Sequence, residues 1–243
     1  MAFLYIEMEE TLWNGITLLQ PDGGFRLGTD SVLLAHFLTL PKRARVIDLG
    51  SGCGTLGLLL CARAEDCTVT GVELREDAHS LALENVRLNA LQARLFPHLG
   101  DVRQFRDLPA GGFDCVISNP PYFAVGSGKL SRDDALARSE ATLPLETLCQ
   151  AAAWLLPSGG RFALVHRPER LCDVICALRA NGLEPKRLQL VRHRPDSPVC
   201  LILLEARRGG KAGLKFEKDF IEFNADGSES EAYRAAYHRG AHP

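Results

Sequence analysis

Two short loops carry the residues best suited to chemistry. Asn119-Pro120-Pro121-Tyr122 follows the apolar run Asp114–Ser118, and Gly50-Ser51-Gly52-Cys53-Gly54 follows the apolar run Arg45–Leu49. In the first loop, the Asn119 side-chain oxygen and the Pro120 carbonyl can each accept one hydrogen of a planar amine. Two acceptors placed this way draw electron density toward nitrogen and tilt its lone pair toward an electrophilic carbon. Consecutive prolines stiffen the loop and lower the ordering cost of that geometry. Tyr122 offers a face on which a base or amide can stack, worth about 1–3 kcal/mol per base. Phe123 beside it joins Tyr122 as a candidate substrate contact. Alone, this tetrapeptide would read as a rigid turn with a core tyrosine; its place after a strand of a glycine-loop domain favours the chemical reading.

The glycines of the second loop permit a sharp turn and bring backbone N–H groups close to a ligand, next to the partial positive charge of a helix start. Gly52-x-Gly54-x-x-Gly57 also fits a dinucleotide fingerprint, so the spacing decides little by itself. Asp48, just before Gly50, suits the cationic methionine end of S-adenosylmethionine better than a pyrophosphate. Acidic residues recur after the next strands. Glu73 can accept two ribose hydroxyls, a carboxylate being acceptor-only, and Asp101, with Val102 beside it, can take an adenine amino group. The candidate cofactor-binding set is therefore Asp48, Gly50, Gly52, Gly54, Glu73, Asp101, Val102 and Asn119; the candidate catalytic set is Asn119, Pro120 and Tyr122. The three acids support an adenosyl ligand more firmly than they support methyl transfer.

These loops need a scaffold that delivers them to one edge. Short apolar runs at 45–49, 68–73, 93–99, 114–118 and 161–166 alternate with helical patterns at 55–64, 77–89, 145–156 and 168–180. In the second helix Ala78, Leu81, Ala82 and Leu88 are expected to face inward. Extended segments at 184–191 and 199–206 close the series. Such alternation predicts an α/β fold with a Rossmann-like, doubly wound sheet, mostly parallel with an antiparallel hairpin at one edge. Ligands of such sheets sit at the C-terminal ends of the strands, where both loops fall. Residues 1–40 read as an N-terminal extension containing a helix capped by Thr29 or Asp30, 41–208 as the cofactor-binding core, and 209–243 as a C-terminal arm.

The 243 residues are 46% hydrophobic and 24% charged, which excludes disordered and collagen-like classes. Apolar runs are too short to cross a bilayer, and the N-terminus has acids where a secretory signal needs basic residues; a cytoplasmic protein is expected. The net charge of −2 argues against a uniformly basic nucleic-acid binder, yet residues 161–218 carry 13 basic and 6 acidic groups. That stretch, with Lys186, Arg187, Arg192, His193, Arg194, Arg207, Arg208, Lys211, Lys215 and Lys218, could contact polyanion phosphates or spread over unrelated solvated faces. Lys129 and Arg138 lie in a segment from 123 to 141 long enough to be a lid; together with Arg192 and Arg194 they are candidate substrate contacts. Arg26, Thr29 and Asp30 could close over the cofactor's methionine end. His166 is not assigned a catalytic role, because displacement at a sulfonium needs no strong base once the amine is oriented. Eight cysteines lack any CxxC pair, so buried reduced thiols are expected and no metal site is indicated.

VIDLGSGCG with SNPPY resembles the class I S-adenosylmethionine-dependent methyltransferases, and NPPY marks those that modify planar amino nitrogens. The blocks ITLLQPDGGFRLGTDSVLLAHF, ARSE at 137–140 and FIEFNADGSESEAYRAAYH are similar to the bacterial tRNA1(Val) adenine-N6 methyltransferase family. The resemblance spans nearly the whole chain. It implies methylation of an adenine N6 amino group in tRNA, beside the anticodon, by in-line transfer from S-adenosylmethionine. Other readings of the same motifs are a glutamine-amide methyltransferase of release factors, a ribosomal-RNA guanine-N2 methyltransferase, and a non-catalytic RNA-binding or NAD-binding protein.

Overall fold

The strand Arg45–Leu49 (β3) is apolar on both faces, as a central parallel strand requires: Val46 packs into one core layer, and Ile47 and Leu49 into the other. Its neighbours are Thr68–Glu73 (β4) on one side and Cys115–Ser118 (β6) on the other, both parallel to it. Leu95–Leu99 (β5) pairs with β4, and Arg161–His166 (β7) with β6, again in parallel. The computed structural model describes residues 8–20, 27–120 and 143–237.

Beyond β7 the order is less regular. Leu183–Arg192 (β8) and Val199–Arg208 (β9) form the expected antiparallel hairpin, but β9 inserts between β7 and β8. Lys215–Phe216 (β10) and Phe220–Ile221 (β11) then pair in parallel with β8, so part of the C-terminal arm extends the sheet. In the sheet, which runs β10-β8-β9-β7-β6-β3-β4-β5 with β11 beside β8, β9 alone points against the rest among the described strands. Order reverses between β3 and β6, which places the ligand crevice at the C-terminal ends of those two strands.

Two helical layers cover the faces. Thr29–Phe37 (α1), Thr55–Arg63 (α2) and Glu76–Leu88 (α3) cover one, with the hairpin Met8–Thr11 (β1) and Thr17–Gln20 (β2) and with Ala236 of Glu231–Tyr237 (α6). Leu145–Leu155 (α4) and Leu171–Ala180 (α5) cover the other. Seven of the nine residues of α2 are buried, so its apolar character runs around most of its circumference. The expected helix from Pro168 begins instead as a single 3-10 turn, Pro168–Arg170.

Three expectations need correction. Leu88 is 52% exposed; the inward face of α3 carries Asn85 and Val86 instead. Asn85 and Asn89 bond the backbone of β2 at Leu19 and Thr17 through both N–H and C=O. They stand in for a neighbouring strand, which is why polar side chains occupy that face. Second, α1 starts after Gly28, with neither Thr29 nor Asp30 as a capping side chain at that position. Third, Cys172 and Cys176 are exposed rather than buried, although all eight cysteines are free thiols. Among the described residues no helix is long and apolar enough to cross a membrane.

Candidate active site

β3 and β6 are adjacent, and both end on the same edge of the sheet. Ser118 Oγ donates to Leu49 O at 2.7 Å, tying the last residues of the two strands together. The glycine loop and the Asn119-Pro120 corner therefore open from neighbouring strand ends. Positive φ at Gly50 (80°), Gly52 (55°) and Gly54 (88°) explains the three glycines. Gly71 in β4 has a different reason: a Cβ there would lie 2.8 Å from Ser51 Oγ, so the bare backbone lets the loop settle on β4.

The loop's N–H groups are used differently from the expectation. Gly50 and Ser51 both donate to Val72 O, Gly54 donates to Ser51 O, and Gly52 donates to Glu73 Oε2 at 2.8 Å. These four donors shape the loop and hold β4's terminal carboxylate, rather than facing a ligand. Glu73 Oε1 also accepts from Arg75 N at 2.9 Å. Each carboxylate oxygen keeps a second lone pair, so Glu73 is fixed in place with acceptor capacity for a diol.

Asp48 is 1% exposed, and among the described residues neither of its oxygens has a hydrogen-bond partner. Burial, and then the nearby charge of Glu73, push its pKa up to about 8. A buried carboxyl with no partner is costly and suits a cationic ligand group at this point of the loop. Asp101 is engaged differently. It caps the short 3-10 helix Val102–Asp107 through Arg103 N and pairs with the Arg103 guanidinium at 2.5 Å, which holds its carboxyl below the usual range. Val102 is buried beside it.

Asn119 Nδ2 donates to Ser31 Oγ at 3.0 Å. Ser31 lies in α1 and is buried, so the N-terminal segment orients the asparagine amide. This bond uses the amide nitrogen as donor, so the carbonyl oxygen is the accepting atom of that side chain. Sequence reasoning passed over Ser31; an ordinary helix serine gives no signal of such a partner. Pro120 is buried directly after it. His166 ends β7 on the same edge, 1% exposed, with Nδ1 accepting from Arg167 N at 2.9 Å. Burial, and then Arg170, lower its pKa to about 4, so the imidazole is neutral at physiological pH. Pro121, Tyr122, Phe123, Lys129, Arg138 and Arg26 lie outside the described residues.

The basic stretch is not one patch. Arg192 is bound to Asp219 at 2.7 Å and to Ser197 O at 2.5 Å. Arg187 bonds Glu217, Phe37 O and Thr39 and stacks over the Phe37 ring at 4.3 Å; Arg208 bonds Leu156 O. Arg194 is exposed on the β8–β9 turn, on the edge that also carries Asn119. Arg207 and Arg208 end β9, which runs the opposite way, so they lie on the far edge.

The chain matches the methyltransferase small domain family over residues 24–176. It is 34% identical over 214 residues to the tRNA1(Val) (adenine(37)-N6)-methyltransferase of Serratia proteamaculans, covering 86% of this chain and 80% of that one. To the protein of the same name from Photobacterium profundum it is 32% identical over 185 residues, covering 75% and 77%. The fold is similar to the crystal structure of a predicted O-methyltransferase from Agrobacterium tumefaciens, with TM-score 0.73 at 24% identity over 88% of this chain and 98% of the other. With the glycine loop and the Asn119 corner on adjacent strand ends of a class I methyltransferase fold, the chain belongs to the methyltransferase small domain family of S-adenosylmethionine-dependent enzymes.

Proposed function

We propose that this enzyme methylates the N6 amino group of an adenine in tRNA. The observation that carries the reading is the shared edge, where Ser118–Leu49 bonding joins the strand ends that present the glycine loop and Asn119. The names of the relatives supply the nucleic-acid class. In this reading Asp48 faces the methionine cation, Glu73 holds the ribose hydroxyls, and Gly50, Gly52 and Gly54 give the cofactor close backbone approach. Asp101 reaches the adenine through lone pairs that Arg103 does not occupy, and Val102 packs beside the ring.

When bound, S-adenosylmethionine supplies a methyl carbon on sulfonium, and the C–S electron pair stays on sulfur as the new N–C bond forms. Asn119 Oδ1 and the Pro120 carbonyl hold the two amine hydrogens and so aim the nitrogen lone pair at that carbon. Ser31 keeps the asparagine amide in the required orientation. The surplus amine proton passes from these acceptors to water. His166, neutral and already accepting at Nδ1, is not needed as a base. Tyr122 and Phe123 stack the base, and Lys129, Arg138 and Arg194 approach phosphates. We place the chain in the cytoplasm, with the core at 41–208 and appendages at 1–40 and 209–243.

Incubation with labelled S-adenosylmethionine and bulk tRNA, followed by nucleoside analysis, tests this. Label in N6-methyladenosine is the expected result, and Asn119→Ala should abolish it while cofactor affinity stays within about twofold. Label in N2-methylguanosine, or transfer only to release-factor protein, overturns the substrate assignment.

A further inference from the structure

At the same edge lies a small cavity of about 180 Å³ lined by residues that include Thr29, Asp30, His193, Cys200 and Glu222. Three of these residues bring metal-ligating atoms together. A His193 ring nitrogen, Cys200 Sγ and a Glu222 carboxylate oxygen all lie within 4.8 Å of one another. They come from three separate segments: the β8–β9 turn, the start of β9, and the residue after β11.

Glu222 is the anchor. It is 3% exposed; Oε2 meets His193 Nδ1 at 2.5 Å, while among the described residues nothing bonds the buried Oε1. A buried carboxylate oxygen with nothing to accept from, on a residue that lines the cavity, carries a desolvation cost that a cation would remove. Cys200 Sγ, half-buried, donates a weak hydrogen bond to Val191 O at 3.4 Å, which coordination would replace. His193 is exposed on its turn, so it can move by the ångström or so that coordination asks. Ligand atoms about 2.0–2.3 Å from one ion at a tetrahedral angle stand roughly 3.5 Å apart.

We propose that His193, Cys200 and Glu222 form a site for a borderline transition cation of the zinc class. Imidazole, thiolate and carboxylate together disfavour magnesium and calcium, which take oxygen ligands. Binding expels the Cys200 thiol proton into solvent as the thiolate takes its place on the ion. The thiolate and carboxylate neutralise the two charges of the ion, so Arg167, which bonds Cys200 O at 3.3 Å, is not opposed by a net positive centre. Three protein ligands leave a fourth position open toward the cavity, beside Thr29 and Asp30. The ion clips the C-terminal segment to the β8–β9 hairpin next to α1. This site owes nothing to the methyl-transfer reading.

Titration of the purified full chain with Co²⁺ tests the site. One equivalent should bind, giving a thiolate charge-transfer band in the near ultraviolet and tetrahedral bands in the visible, all displaced by Zn²⁺. Cys200→Ser should remove the charge-transfer band, and Glu222→Gln should weaken Zn²⁺ binding roughly tenfold or more. The double change Cys172→Ser, Cys176→Ser should leave both signals intact, since those exposed thiols lie on α5. If Cys200→Ser fails to fold, His193→Asn at its exposed turn must weaken Co²⁺ binding by the same order. No charge-transfer band, or one that survives Cys200→Ser and disappears with the α5 thiols, overturns the proposal.

Discussion

Replacing Asp48 with asparagine removes a carboxyl whose pKa is about 8 in the folded chain against an ordinary 3.8. Between those values the folded chain keeps a proton that the unfolded chain gives up. Stability therefore falls as pH rises, by about 1.4 kcal/mol per pH unit, and levels off above about 8. His166 has the opposite sign: with its pKa lowered from 6.5 to about 4, the unfolded imidazole takes up a proton the folded one refuses. From pH 4 to 6.5 its contribution rises with pH at the same slope. The two effects cancel below pH 6.5 and leave Asp48 alone from 6.5 to 8. Across that window the wild type should lose about 1.3 kcal/mol, because Asp48 is half-ionised at pH 8 and the unfolded imidazole is still half-protonated at pH 6.5. Urea unfolding at half-unit steps from pH 6.5 to 8 measures this, with Asp48→Asn expected to be flat. Slopes are compared, not absolute stabilities, because asparagine brings its own amide hydrogens into the pocket. A flat wild-type profile, or an undiminished slope in the variant, refutes the buried neutral carboxyl.

A second consequence follows from the proposed cofactor contact. A cation beside Asp48 draws its proton off, so S-adenosylmethionine binding at pH 7 should release about 0.9 of a proton, measurable by calorimetry in buffers of different ionisation enthalpy; Asp48→Asn should lose that release. Asn85→Ala removes three hydrogen bonds, to Leu19 N, Leu19 O and Cys53 O, and should cost about 3 kcal/mol in urea unfolding; a cost below about 1 kcal/mol would mean the β1–β2 hairpin does not depend on it. Arg194→Ala should lower the slope of log affinity for tRNA against log salt by about 1. Arg192→Ala should leave that slope unchanged, because its guanidinium is spent on Asp219 and Ser197.

Strand positions were readable because parallel strands buried on both faces must be continuous apolar runs, as in Arg45–Leu49 and Arg161–His166. The two loops were readable for a related reason: glycine and proline mark backbone constraints directly. Partners were not. Nothing in a sequence says that Asn85 and Asn89 pair with β2, that Ser31 holds Asn119, or that Gly52 N–H serves Glu73 rather than a ligand. Each contact joins residues dozens of positions apart, and polar residue types alone cannot choose between water and a distant backbone group. The His193, Cys200 and Glu222 cluster escaped notice similarly, since no short spacing links it.

The direction of β9 bears most on how substrate is held. A stretch of 13 basic residues against 6 acidic suggests one positive face. Because β9 runs against every described neighbour, the residues ending it lie at the opposite edge from those ending β8. Arg207 and Arg208 are thus separated from Arg194 by the length of a ten-residue strand, roughly 30 Å. Acids of the C-terminal segment then take up much of what remains: Glu217 holds Arg187 and Lys215, and Asp219 holds Arg192. RNA bound over Asn119 can therefore meet little of that charge. Under the proposed function, affinity then comes mainly from contacts at the Asn119 corner and a few phosphate contacts on its own edge. A modest salt dependence, equivalent to two or three phosphates rather than ten, is the consequence to look for.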